Sequence, residues 1–137
     1  MRARQEETLT EAGVMEHVDF IKGSALDMPL EDIEGVLISN ELPDAFPVHR
    51  VKMKDGRLQE LYVTVKDSKL EPEWGDVSSL EVSDYVEKFL DMRSEYRKGW
   101  EEWLQTEELA VSMDAIRWQE AMDRALKRGY VITIDYG

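Results

Sequence analysis

The apolar residues of this chain fall into a few short runs and helical stripes, separated by long polar stretches. Met1 to Ala12 is polar and helical in composition, with Leu9 as its large apolar anchor before Gly13. A helix this short is marginal in water until something packs against it. Val18-Asp19-Phe20-Ile21 reads as a short strand, and Gly23-Ser24 opens a loop running through Asp27 and Pro29. Gly35-Val36-Leu37-Ile38-Ser39 is a continuous apolar run, the pattern of a strand covered on both faces in a parallel sheet. It ends abruptly at Asn40-Glu41, and Pro43 and Pro47 then bracket a loop or short helical turn holding Asp44, Ala45 and Phe46.

A hairpin insertion over 48–65 follows. His49, Val51 and Met53 alternate with Arg50, Lys52 and Lys54, Asp55-Gly56 supplies a two-residue turn, and Leu58 to Val65 returns. Asp-Gly suits a type I′ turn, which needs positive φ at both central residues. Lys66 to Val77 reads as a loop, broken by Pro72 and Gly75. A helical insertion over 78–105 opens with Ser78 and Glu81 at capping-box spacing. Val82, Tyr85, Val86, Phe89 and Leu90 then form one apolar stripe. Tyr96, Trp100, Trp103 and Leu104 continue that helix past Gly99 or belong to a second one. Trp118, Ala121, Met122, Ala125 and Leu126 repeat the spacing in a further helix, which Lys127, Arg128 and a C′ Gly129 would close. Tyr130 to Ile134 is a second buried-strand pattern, ending in Asp135-Tyr136-Gly137.

Strand, strand, hairpin, helices and strand add up to an open α/β sheet within one domain, 1–137. Ligands of such sheets bind beyond the carboxyl ends of the strands, which makes Asn40-Glu41 and Asp135-Tyr136 neighbours in one crevice.

Composition narrows the partners. Seventeen basic against 30 acidic residues leave a net charge of −13, the wrong sign for a chain that grips nucleic-acid phosphates. No cysteine is present, which removes disulfides, thiol nucleophiles and cysteine-based zinc sites. No apolar run approaches the ~20 residues of a membrane span, and no signal peptide opens the chain. The expectation is a soluble, cytoplasmic protein that binds neither membrane nor nucleic acid.

Asn40, Glu41 and Asp44 are the densest polar group behind a buried strand. The carboxamide both donates and accepts, as an amino or guanidino substrate requires, while a carboxylate can hold a cation or take a proton. Their plainer role is to cap the turns around Pro43 and Pro47. Asp135 and Tyr136 have the same two readings, as site wall or as packing. Ser24 to Asp27 offers acceptors to a nucleoside, or is a solvated loop. His17 and His49 have no companion at metal-ligand spacing, so no metal site is expected, and His49 reads as a packed or surface histidine. Neither a G-x-S-x-G elbow nor a glycine-rich phosphate loop occurs.

Gly35 to Val51, GVLISNELPDAFPVHRV, resembles the signature of the MidA-like proteins, predicted class I S-adenosylmethionine-dependent methyltransferases: a strand, then N-E-[LF]-[LF]-D-A-[LF]-P. Asn40, Glu41, Leu42, Asp44, Ala45, Phe46 and Pro47 match it, with Pro43 in place of a large apolar residue. Arg2-Ala3-Arg4-Gln5 resembles the family's L-R-x-x-Q, and Gly129 to Gly137 resembles its G-x-x-x-x-I-D-Y-G. Where the family often has Glu-Val-Asn, this chain has Ala110-Val111-Ser112. The resemblance implies a partial class I (Rossmann-like) sheet holding strands three, four and five, with the glycine-rich cofactor loop lying before Met1. It implies S-adenosylmethionine as cofactor, with Asp27 and Asn40 toward it. Asn40, Glu41 and Asp44 would line the methyl-transfer cleft, Glu41 or Asp44 orienting or deprotonating the acceptor, and Asp135 and Tyr136 would form the substrate wall. The mitochondrial relatives are arginine methyltransferases for complex I assembly, which implies a protein substrate. On this basis the chain is expected to be a middle fragment, inactive alone, that pairs with a second copy or a complementing chain. The alternative is a non-catalytic interaction module derived from such a domain.

Overall fold

The computed structural model describes residues 2–94 and 99–136; Tyr96 and the side chain of Trp100 lie outside them. The first helix, α1 (Arg2–Glu11), finds its partner locally. Arg2 lies 5.1 Å over the Phe20 ring, and Leu9 and Phe20 share the wall of one shallow cavity. The strand expected at Val18–Ile21 does not form: the segment is extended at Val18 but pairs with nothing. A strand needs a ladder to satisfy its backbone, and no described strand offers this segment one.

Two strands make the parallel sheet, β1 (Ile33–Asn40) and, at the far end of the chain, the strand Leu126–Ile134. Their register pairs Val36 with Tyr130, Ile38 with Ile132 and Asn40 with Ile134. Side chains alternate along a strand, so these residues share one face. That face is bare: Val36, Ile38, Tyr130, Ile132 and Ile134 are 46–75% exposed. The opposite face looks toward the helix Met113–Ala125, whose Trp118 and Met122 share a cavity wall with Val131 and Thr133. The run expected to be covered on both faces is therefore covered on one.

Gly129 does not close a helix. The helix stops at Ala125, Leu126 already belongs to the strand, and Lys127 and Arg128 lie within it. At Gly129 φ is +147°, and a Cβ there would stand 1.7 Å from the Gly35 carbonyl oxygen. The glycine is required because the two backbones touch.

The remaining strands form an antiparallel sheet. β2 (His49–Lys54) and β3 (Arg57–Lys66) are joined at Asp55 and Gly56, both with positive φ, as the type I′ turn demands. The segment expected to be a loop, Lys66 to Val77, contains instead a full strand, β4 (Lys69–Asp76). Asp67 and Ser68 both take positive φ and make a second tight turn without glycine. Pro72 is tolerated because β4 is an edge strand, and Gly75 leaves room for the Tyr62 ring, 3.3 Å from where its Cβ would be. A short strand, β5 (Leu109–Val111), completes the order β4-β3-β2-β5.

Two helices accompany this sheet, α2 (Leu80–Ser94) and α3 (Trp100–Thr106), so the apolar stripe breaks into two helices at Gly99. Val51, Val82, Val86, Leu104 and Val111 are almost fully buried and form the core with Met113. Burying each such side chain contributes roughly 1.5–3 kcal/mol. The α2 cap is Ser79, whose Oγ accepts the Val82 N–H at 3.4 Å, and not Ser78, whose own N–H is drawn to Glu60. The helix Met113–Ala125, hereafter α4, is capped by Ser112, and the last strand is β6 (Leu126–Ile134).

Candidate functional site

The carboxyl ends of β1 and β6 converge as the strand pattern required. Glu41 takes φ of +52°, a left-handed turn that breaks β1 and lets its N–H reach the Ile134 carbonyl at 2.8 Å. For a residue with a side chain this conformation costs of order 1 kcal/mol, and such strain collects at functional sites. Behind it Pro43–Ala45 makes one turn of 3-10 helix, and Phe46 anchors the loop against the buried Trp118 ring at 6.1 Å. Asp135 ties the two strand ends together: one oxygen accepts the Asp44 N–H at 3.2 Å, the other the Tyr136 N–H at 2.8 Å. The Tyr136 hydroxyl donates to Glu41 at 3.0 Å.

Glu41, Asp44, Asp135 and Tyr136 thus form one cluster, with Asn40 at its base on the last residue of β1. Asp44 contributes its backbone N–H, and neither its exposed carboxylate nor the exposed Asn40 carboxamide bonds a described residue. None of the three carboxylates forms an ion pair with a described residue.

Asp27 stands apart. Its N–H is held by the Ser24 carbonyl in a turn, and it lines a cavity of about 310 Å³ with Asp32, Ala121 and Arg124. Asp32 immediately precedes β1, whereas Asn40 ends it, so the structure does not bring Asp27 to the Asn40 cluster.

A larger cavity, about 890 Å³, runs between α4 and β6, with Ser112 and Thr133 among its lining residues and Tyr85, Trp118 and Met122 as apolar wall. Thr133 is tied to Ser39, one residue before Asn40, at 3.3 Å. Ser112 donates to the Pro47 carbonyl at 3.1 Å while accepting the Ala115 N–H.

Sequence reasoning missed one polar cluster. Glu60 is buried on β3, opposite Val51, and its Oε1 lies 2.7 Å from His49 Nδ1. Its Oε2 accepts the Ser78 N–H at 2.7 Å, with the Tyr62 hydroxyl at 3.4 Å. Burial pushes the Glu60 carboxyl up, but the hydrogen bonds from His49 and Ser78 outweigh it and hold it below the ordinary glutamate range. Burial, and then the Glu60 charge, pushes the Tyr62 phenol above its usual value. The signal was present: the Asp55-Gly56 turn fixes a register that places Glu60 across from the core residue Val51.

A mixed α/β fold whose two parallel strands end side by side in polar residues has the arrangement at which open α/β sheets bind their ligands. All of residues 1–137 match a family described, by inference, as S-adenosyl-L-methionine-dependent methyltransferases, and the chain belongs to that family. The fold is similar to that of a superfamily member and candidate methyl transferase from Burkholderia thailandensis, crystallised with S-adenosyl-homocysteine. The TM-score is 0.69 at 24% identity, over 99% of this chain and 32% of that one. The chain therefore spans about a third of that protein's length. No curated protein sequence matches it. Among the described residues no helix is long and apolar enough to cross a membrane, and no group of metal-ligating side chains converges.

Proposed function

We propose that the chain supplies the acceptor side of a methyltransferase cleft that acts on a basic, guanidino-type group of a protein. The observation that carries this reading is the cluster at the carboxyl ends of β1 and β6. There Tyr136 bonds Glu41 and Asp135 holds the Asp44 backbone, with no ion pair to a described residue, in a chain that a methyltransferase family matches throughout.

The cluster also fits one part of the cofactor. S-Adenosylmethionine supplies an electrophilic methyl group on a positively charged sulfur, and anionic side chains suit that charge. Asn40 and Glu41 would face the cofactor's reactive end. Glu41 and Asp44 would hold the acceptor's positive charge and align its nitrogen, and Asp135 and Tyr136 would form the adjoining wall. Alignment of this kind supplies most of the rate gain in a transfer between two bound groups.

The test is calorimetric titration with S-adenosylmethionine, followed by transfer of labelled methyl groups to arginine-containing and arginine-free peptides. Saturable binding and labelling confined to the arginine peptides are expected. Labelling of both peptide sets alike would sink the guanidino assignment, and absence of binding would sink the methyltransferase reading for the chain by itself.

The bare apolar face of the β1–β6 sheet supports a second reading, an interaction module that docks another polypeptide without catalysis. Binding of such a partner with no methyl transfer in the complex would favour it.

A further inference from the structure

The cavity of about 890 Å³ between α4 and β6 takes no part in the hydrogen bonds of the strand-end cluster, yet the two share a wall. We propose that this cavity is a substrate subsite: it receives a large apolar side chain that stands near the acceptor residue, in a segment of the substrate protein that also carries basic residues. The proposal deepens the methyltransferase reading and rests on it.

Three contacts join the cavity to the crevice. Trp118 lines the cavity, and its ring meets Phe46 of the loop that carries Glu41 and Asp44, at 6.1 Å. Ser112 lines it too and holds the carbonyl of Pro47, at the far end of that loop, at 3.1 Å. Thr133 lines it from β6, and its hydroxyl meets that of Ser39 at 3.3 Å, so both side chains project from one face of the sheet. The ladder continues past them, since the Glu41 N–H bonds the Ile134 carbonyl. Alternation along an extended chain then puts Asp135 on the face of Val131 and Thr133, one side-chain repeat, roughly 6.5–7 Å, beyond the cavity wall. A substrate lying extended along β6 presents its own side chains at the same repeat. One that offers its acceptor at the Asp135 end therefore sets the residue two positions away into the cavity.

The lining decides what enters. Tyr85, Ile116, Trp118, Met122, Leu126 and Val131 give an apolar and aromatic wall, within the roughly 300–1,000 Å³ of ordinary ligand pockets. Trp118 and Met122 are themselves buried, so that part of the wall is fixed before anything binds. No basic side chain lines the cavity among the described residues. Glu120 and Asp123, both exposed, do line it, and neither forms an ion pair with a described residue. Such a border disfavours a ligand that brings a carboxylate or a phosphate, and favours positive charge beside the apolar group. The amino-acid end of the methyl donor carries such a carboxylate; a basic, apolar stretch of polypeptide does not.

Three end-blocked peptides test these features one at a time: Arg-Ala-Phe-Lys, the same peptide with glycine for phenylalanine, and the same with glutamate for lysine. The readout is the methyl resonances of Ile116, Met122 and Val131 and the indole N–H of Trp118 in the full chain, which needs no turnover. Arg-Ala-Phe-Lys is expected to shift these signals saturably, and each altered peptide to bind about 10-fold more weakly. Gln119→Trp fills the cavity from an exposed position of α4 and should abolish the preference for phenylalanine while the amide spectrum stays that of the folded chain. Glu120→Lys combined with Asp123→Lys should abolish the preference for lysine over glutamate. Equal binding of the three peptides, shifts that gather away from the cavity, or displacement of Arg-Ala-Phe-Lys by S-adenosyl-homocysteine would each overturn the proposal. Peptides that bind in the expected order to a chain that transfers no methyl group count against the methyltransferase reading and leave the cavity as a peptide site. Methyl transfer with a KM indifferent to the phenylalanine counts against the subsite and leaves that reading in place.

Discussion

At Gly129 a single hydrogen in place of a methyl group decides whether two strands can meet. Any Cβ there would overlap the Gly35 carbonyl oxygen at 1.7 Å, and φ of +147° is foreign to residues with side chains. Gly129→Ala must push β1 and β6 apart at the start of their register, so urea unfolding should show a loss of about 3 kcal/mol, the upper range for forced overpacking. Gly35→Ala makes an instructive contrast, since nothing lies within 4 Å of its Cβ position. A similar loss in both variants would mean that composition and not contact matters here. Glu60 is the second residue whose surroundings set an observable. Its carboxyl is more acidic folded than unfolded, so its contribution is present above the unfolded value, about 4.3. That contribution is lost as pH falls through the lower folded value. Between those two values stability should therefore decline less steeply with falling pH in Glu60→Gln than in wild type. Parallel declines would show that Glu60 has no depressed acidity in solution.

Among the elements, the two serine caps differ in what they hold. Ser79 caps α2 with one 3.4 Å hydrogen bond, whereas Ser112 caps α4 at 3.2 Å and also ties down the Pro47 carbonyl. Ser112→Ala should cost about 1 kcal/mol or somewhat more, and Ser79→Ala less, within the usual range for lost N-caps. Denaturant midpoints of the two variants decide the order, and equal shifts would show that the Pro47 bond contributes nothing. The same elements show which features sequence patterning reveals. β2 and β3 were legible because alternation and an Asp-Gly turn agree, and α4 because its apolar residues recur at helical spacing, although Gly129 does not close it. β4 was hidden because Pro72 and Gly75 resemble breakers; only the edge position and the Tyr62 ring explain them. Val18–Ile21 has a strand's composition but lacks a neighbour, and pairing, unlike propensity, is not local. The meeting of the strand ends was legible for a related reason: they are marked in the sequence by abrupt polarity, as at Asn40 and Asp135. The His49–Glu60 pair escaped because its members stand 11 positions apart, and the register that joins them had to be read from the Asp55-Gly56 turn.

For the whole molecule, charge and exposed apolar area act against each other. Val36, Ile38, Tyr130, Ile132 and Ile134 form one uncovered face on a sheet of two strands, while the chain carries a net charge of −13. Burial of that face is favourable at roughly 25 cal/mol per Å² removed from water, but two copies brought together repel through their like charge. Salt weakens the second effect without weakening the first: the screening length falls from about 10 Å at 0.1 M to about 3 Å at 1 M. If the bare face is where a second copy or a complementing chain docks, sedimentation velocity should show association that increases with protein concentration and with salt. Ile38→Lys should hold the chain monomeric under the same conditions, because Ile38 is 70% exposed and so can be replaced at little cost to the fold. A lysine variant that associates as wild type does would place the contact elsewhere, the exposed Val63, Val65 and Leu70 of the β3–β4 hairpin being the next surface to alter. A wild-type chain that stays monomeric in high salt would show that this face holds no second copy.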